Sequence, residues 1–329
     1  MKPNIKILAT GGTIAGRAKI STATTGYTAG AIEIDELLNA VPEIYEIANV
    51  TGEQICSIDS KDMTEEIWLK LATRINEIFS RGDVDGIVVT HGTDSLEETA
   101  YFLNLTVHGD KPVVLTGAMR PATAISSDGA MNLLNAVRVA ANKNSVGKGV
   151  LVALNDEINS AREVTKTNTL TVNTFKNFEL GLLGYVNAGT PEFYRTSTRR
   201  HTSNSEFDVT GLKKLPLVKI IYGHAGDDEI FVDAAINANV DGIIYAGTGN
   251  GSIHVNAEKA LARATAKNIV VVRSSRVGNG TVIPAEKSYA EKNFLDGDNL
   301  SPQKARILLQ LALTKTNNLS EIRRMFKQY

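Results

Sequence analysis

Two segments of this chain close an apolar run with the same four-residue pattern. "KILATGGTIAG" (residues 6–16) carries Thr10-Gly11-Gly12-Thr13, and "GIVVTHGTDSLEET" (86–99) carries Thr90-His91-Gly92-Thr93. Each reads T-x-G-T at the mouth of a strand. Glycine there removes side-chain bulk and tolerates positive φ, so the backbone can approach a ligand and aim N–H groups at developing negative charge. A threonine hydroxyl is a weak nucleophile until a neighbouring group takes its proton. Two partners are in view: Tyr27, in the Gly-rich "TTGYTAG", and Lys166, in "EVTKTNT". Ser95 with Glu98 three residues on spells a capping box, which places Thr93 and Asp94 at a helix start that favours anions. Taken singly, either segment reads equally well as turn and cap chemistry, and Lys166 as a surface lysine. The pair points to a site.

Other chemistries find less support. His91, Asp94 and Ser95 are too close in sequence to form a relay triad, and histidines 108, 201, 224 and 254 lack metal-ligand spacing. "GGTIAG" matches neither dinucleotide nor Walker fingerprints. "GTGNGS" (247–252) follows a strand, but the next strand ends in Arg273 and Ser274 rather than a ribose-binding acid. Cys56, the sole cysteine, excludes an intramolecular disulfide and a cysteine metal cluster, and reads as a small buried hydrophobe.

The elements that must position these residues follow from periodicity. Apolar runs predict strands at 5–10, 85–91, 112–117, 149–154, 217–223, 241–247 and 269–274. In "TEEIWLKLATRINEIFSRG", Ile67, Leu71, Ile75 and Ile78 share one helical face, with Thr64 as cap. Alternating strands and helices predict an α/β chain with a mostly parallel sheet covered on both faces. Ligands then bind outside the carboxyl ends of the strands, where both T-x-G-T turns lie. Periodicity fails near 190–215, around Arg195, Arg199 and Arg200. That predicts a larger N-terminal α/β domain (1–192), a linker (193–214) and a smaller C-terminal parallel-sheet domain (215–329). The 329 residues are 43% hydrophobic and 22% charged, with net charge −1, which argues against nucleic acid as partner. No apolar run is long enough for a membrane span.

With these residues in hand, the sequence resembles the bacterial-type L-asparaginases, most nearly the type II group. The two T-x-G-T segments carry the resemblance, and "KPVVLTGAMRP", "SSDGAMNLLNAVRVA", "TKTNT", "GTGNGS", "VVVRSSRVGNG" and "LSPQKARILLQLALTKT" extend it end to end. The resemblance implies hydrolysis of L-asparagine to L-aspartate and ammonia, some action on L-glutamine, and no metal or organic cofactor. It implies Thr13 as nucleophile with Tyr27 on a lid loop, and a second set of Thr93, Asp94 and Lys166. It further implies Ser60 for the substrate α-carboxylate, Asp94 for the α-ammonium, and the Ala118 carbonyl for the amide nitrogen. Asn250 and Glu286 would come from a neighbouring subunit of a homotetramer.

One residue departs from the pattern. Lys61 follows Ser60 where the family commonly has Gln or Glu, which puts a cation in the substrate-binding segment. Two rival readings expect other features. A non-catalytic amino-acid binder would need Ser60 and Asp94 but not two activated hydroxyls. An amidotransferase subunit would carry an additional N-terminal domain. As written, the chain is expected in the cytoplasm, or in the periplasm if a signal peptide has been removed.

Overall fold

The continuous apolar runs become the buried central strands. The computed structural model describes residues 1–23 and 25–329 and divides into two units, Met1–Gly211 and Leu212–Tyr329. The first unit contains β1 (Asn4–Gly11), β2 (Asn49–Ile58), β3 (Gly86–Thr90), β4 (Val113–Thr116), β5 (Val150–Leu154), β6 (Glu157–Ser160), β7 (Thr165–Lys166), β8 (Phe175–Lys176), β9 (Gly184–Asn187) and β10 (Thr190–Phe193). Eight of these form one sheet in the order β10-β9-β6-β5-β4-β3-β1-β2, while β7 and β8 pair separately. From β2 to β5 every pairing is parallel; β5–β6, β6–β9 and β9–β10 are antiparallel.

That order has a chemical consequence. The chain leaves β1 towards β2 on one side and resumes with β3 on the other, so the strand order reverses between β1 and β3. Such a reversal opens a crevice at the carboxyl ends, the usual ligand position in open α/β sheets. Alternate residues of the strands serve two faces. Ile5, Ile7, Ala9, Val88, Val114 and Leu151 pack with Leu133, Val137 and Ala140 of the helix Gly129–Ala141. Helix Leu96–Thr106 packs on β4 and β5, and helix Glu65–Arg81 packs against it through stacked Trp68 and Phe102, 5.3 Å between ring centroids. The latter helix starts as expected, the Thr64 side chain accepting from the Ile67 amide.

The second unit holds β11 (Val218–Tyr222), β12 (Gly242–Gly247), β13 (Val270–Ser275) and β14 (Leu295–Asp296), four parallel strands in sequential order. Helices Ile230–Asn237 and Val255–Ala266 cover Ile243, Tyr245 and Val271, and helix Pro302–Leu313 packs on β11, β12 and β13. The unit boundary, after Gly211, lies inside the expected linker. Residues 193–211 belong to the first unit because their side chains are fastened to it. Phe207 and Val209 are buried, and Ser205 Oγ donates to the Leu105 carbonyl. Among the described residues no helix is long and apolar enough to cross a membrane.

Candidate active site

The two T-x-G-T turns touch at their glycines. Gly12 has φ 79° and ψ −171°, a conformation essentially reserved for glycine. A Cβ on Gly12 would lie 2.3 Å from both Cα and N of Gly92. Gly92 in turn faces Ser60, whose Oγ would be 2.5 Å from a Cβ placed there. Thr10 Oγ1 donates to the Thr90 carbonyl, 2.9 Å, one step beyond the last paired residues Ala9 and Thr90. Thr13 and Thr93, each the residue after a touching glycine, therefore leave one point of contact at the β1–β3 reversal.

Each threonine has its expected partner. Thr13, almost fully buried, starts a single 3₁₀ turn, and its Oγ1 lies 2.6 Å from the Tyr27 hydroxyl. Tyr27 sits on a segment closed by paired Arg17–Thr28 backbone hydrogen bonds (3.0 and 3.1 Å). That segment also rests on the loop after β4, where Thr123 Oγ1 accepts from the Ala18 amide and the Ile125 amide donates to the Ser21 carbonyl. Lys166 is no surface lysine. β7 holds it so that Nζ donates to Thr93 Oγ1 (2.9 Å) and to Asp94 Oδ1 (2.6 Å), with its side chain 17% exposed. Glu97, which sequence reasoning passed over in favour of Glu98, anchors this lysine by accepting from its backbone amide at 2.7 Å.

The expected capping box is replaced by a different contact. Ser95 stands at the N-cap of helix Leu96–Thr106, but its side chain does not cap. Its Oγ instead donates to the Ser60 carbonyl at 2.6 Å, while the Asp94 amide donates to Ser60 Oγ at 3.1 Å. The helix start is thereby tied to Ser60, which is buried. Lys61, the next residue, is exposed and points at Asp59, Nζ to Oδ2 3.1 Å. The Asp59 hydrogen bond leads the causes that raise its pKa, and Asp94 contributes a smaller attraction.

Ala118 is fully buried just beyond β4. Asp128 fixes the loop, its two carboxylate oxygens accepting from the Met119 and Arg120 amides, both at 2.9 Å. A Cβ on Gly117 would lie 3.4 Å from Thr93 Cγ2, so Ala118 follows directly from a residue against the second turn.

His91 takes a structural place. It is fully buried, and desolvation pushes its pKa down to about 4. The Gly92 carbonyl can only accept, so Nδ1, 2.7 Å away, carries the hydrogen. Nε2 then accepts from Thr99 Oγ1 (2.9 Å), which itself accepts from Trp68 Nε1 (2.8 Å). This chain pins the Gly92 peptide. Trp68, Thr99 and Asp128 carried no sequence signal beyond helix packing or capping.

Asn250 and Glu286 belong to the second unit. Asn250 follows β12 and its amide clasps Ile283, Oδ1 accepting from its N–H at 2.9 Å and Nδ2 donating to its carbonyl at 3.3 Å. Glu286 precedes the short helix Lys287–Glu291, where its carboxylate accepts from Ser288 Oγ at 3.4 Å. Among the described residues no three His, Cys, Asp or Glu side chains gather as a metal-binding set.

Comparison with known proteins shows the family of the chain. Residues 4–199 match the family model "Asparaginase, N-terminal", and residues 217–326 match "Glutaminase/Asparaginase C-terminal domain". The chain is 55% identical to L-asparaginase 2 of Bacillus subtilis, over 99% of this chain and 87% of that one. It is 49% identical to L-asparaginase 2 of Escherichia coli, over 99% and 93%. A crystal structure titled probable cytoplasmic L-asparaginase from Campylobacter jejuni superposes with a TM-score of 0.97 at 49% identity, covering 100% of both chains. Two touching glycine turns, each delivering a partnered threonine, thus occur in a chain that belongs to the asparaginase family of amidohydrolases.

Proposed function

We propose that this chain hydrolyses the side-chain amide of L-asparagine to L-aspartate and ammonia through a threonine-linked acyl-enzyme, with L-glutamine as a lesser substrate. The observation that carries the reading is the pair of partnered hydroxyls, Thr13–Tyr27 and Thr93–Lys166–Asp94, on turns in backbone contact.

Thr13 Oγ attacks the amide carbon while its proton passes to the Tyr27 oxygen and on to the leaving nitrogen. Collapse of the tetrahedral intermediate expels ammonia and leaves an ester. Water, oriented by Thr93 and Lys166, then cleaves the ester and returns the proton to Thr13. The Gly12 amide is already committed to the Ile58 carbonyl and the Asp94 amide to Ser60 Oγ. The oxyanion donors are therefore assigned to the Thr13 and Thr93 amides. Ser60 Oγ accepts from the Asp94 amide, so its own hydrogen is available to the substrate α-carboxylate. Asp94 carries a second, exposed carboxylate edge for the α-ammonium, and the Ala118 carbonyl receives the amide nitrogen.

Asn250 and Glu286 are assigned to the site of a neighbouring subunit, which makes a homotetramer, a dimer of dimers, the working form. The compartment proposed is the cytoplasm.

The test is ammonia release from L-asparagine and L-glutamine by the intact protein and by Thr13→Ala. Loss of activity by about 10⁴-fold or more in the variant supports the assignment, in line with removal of a covalent nucleophile. Full activity in Thr13→Ala moves the nucleophile to Thr93.

A further inference from the structure

The second unit buries a guanidinium that the reading above does not use. Arg273 lies on β13 with no exposed surface. Its Nη1 donates to the carbonyls of Asn250 (3.2 Å) and Gly251 (3.3 Å), and Nη2 to that of Ile283 (2.8 Å). Nη2 also meets the Asp296 carboxylate. The guanidinium covers the Tyr289 ring, 4.5 Å from its centroid, and the Tyr289 hydroxyl accepts from the Ile253 amide at 3.1 Å. One side chain thus holds the carbonyls of two turns, 248–252 and 281–286, that are remote in sequence. Asn250 completes the closure by clasping the backbone of Ile283 with its amide.

The residue type is demanded by this task. Guanidinium presents its donors in a rigid planar fork, stacks on an aromatic face and stays charged, whereas an ammonium radiates three donors from one nitrogen. A lysine at 273 could keep the Asp296 contact and still not reach three carbonyls on two turns. The counter-charge and the ring face offset the desolvation of the cation.

We propose that Arg273 is a positioning residue that sets where Asn250, and the stretch leading to Glu286, are presented to substrate. This rests on the reading that these two side chains complete a neighbouring subunit's site. Arg273 touches no substrate and acts only through the two turns.

The test is a double-mutant cycle of Arg273→Lys and Asn250→Ala, read as kcat and KM for L-asparagine and as Kd for L-aspartate, with tetramer content checked by sedimentation. Arg273→Lys should raise KM and Kd about tenfold with kcat within about threefold, the pattern of lost ground-state binding. The double variant should be no weaker than the worse single one, because both act through the same turn. Additive effects, or a fall in kcat at unchanged KM, overturn the proposal. Unchanged KM in Asn250→Ala also overturns it, while loss of activity in Thr13→Ala keeps the amidohydrolase reading standing. If the intact protein releases no ammonia, that reading fails, and the aspartate Kd alone decides the role of Arg273. Should Arg273→Lys not fold, Asp296→Asn loosens the same guanidinium at constant volume and must show the same split between KM and kcat.

Discussion

Thr13 and Thr93 require different things of their neighbours. Among the described residues Thr13 Oγ1 has one partner, the Tyr27 hydroxyl at 2.6 Å, so Tyr27→Phe removes that relay. That variant should lose about 10²–10⁴ in kcat, the usual value of a positioned acid–base group, with KM for L-asparagine little changed in steady-state assays. Lys61 acts through charge alone. It is paired with Asp59, and the Asp94 carboxylate attracts it more weakly, so it competes with a substrate ammonium there. Lys61→Gln should raise kcat/KM by about two- to fivefold, the range of an exposed ion pair. An unchanged value would mean that Asp59 holds the charge entirely. His91 makes a prediction about acid. Its pKa falls from an ordinary 6.5 in the unfolded chain to about 4 when folded, so the neutral form is the one the fold accommodates. Between those values the unfolded state binds more protons, so the contribution is present above pH 6.5 and lost as pH falls towards 4. Full loss amounts to about 3 kcal/mol. Denaturant unfolding at pH 7 and pH 5 should show a shallower acid loss in His91→Gln than in the parent.

Elements carried different amounts of information in the sequence. All seven expected strands are present, because central strands buried on both faces show mostly apolar residues, and edge strand β11, with Lys219 and Tyr222 exposed, still keeps an apolar majority. β2, β6, β9 and β10 were not legible: β2 is an edge strand with the mixed run "NVTGEQICSI", and the other three form the antiparallel margin. The segment 193–211 looked like a linker because it has no period, yet Phe207 and Val209 fasten it to the first unit without needing one. The candidate site was legible where chemistry and backbone conformation coincide, at Gly12, Thr13, Gly92 and Thr93. It was not legible where a side chain fixes a backbone outside its own element, as with Ser95 Oγ reaching Ser60 or Asp128 holding the Met119 amide. The glycine contact belongs to this scale. Gly12→Ala meets both a forbidden backbone conformation and a collision with Gly92, so the turns must separate. Activity should fall below about 1% of the parent, since a misplacement of about 1 Å is enough to cost 10²-fold. Soluble Gly12→Ala with near-normal kcat would show that the turns move independently.

At the scale of the whole molecule, the proposed tetramer is the assertion most easily weighed. Sedimentation equilibrium should give four times the 35.4 kDa chain mass. Dilution into a monomeric range should abolish ammonia release before it abolishes secondary structure, because Asn250 and Glu286 would no longer reach a neighbour's substrate. Full activity in a monomer would separate those residues from catalysis. Cys56 gives the molecule a reporter of its own. This single thiol lies on edge strand β2 with Sγ 3.5 Å from the Thr10 carbonyl, and burial raises its pKa. A protonated, half-buried sulfur reacts slowly until its strand frays. The rate at which a maleimide dye couples to it is therefore a clock for opening of the sheet edge three residues from Thr13. It can be read in real time on the unmodified protein, with no engineered label.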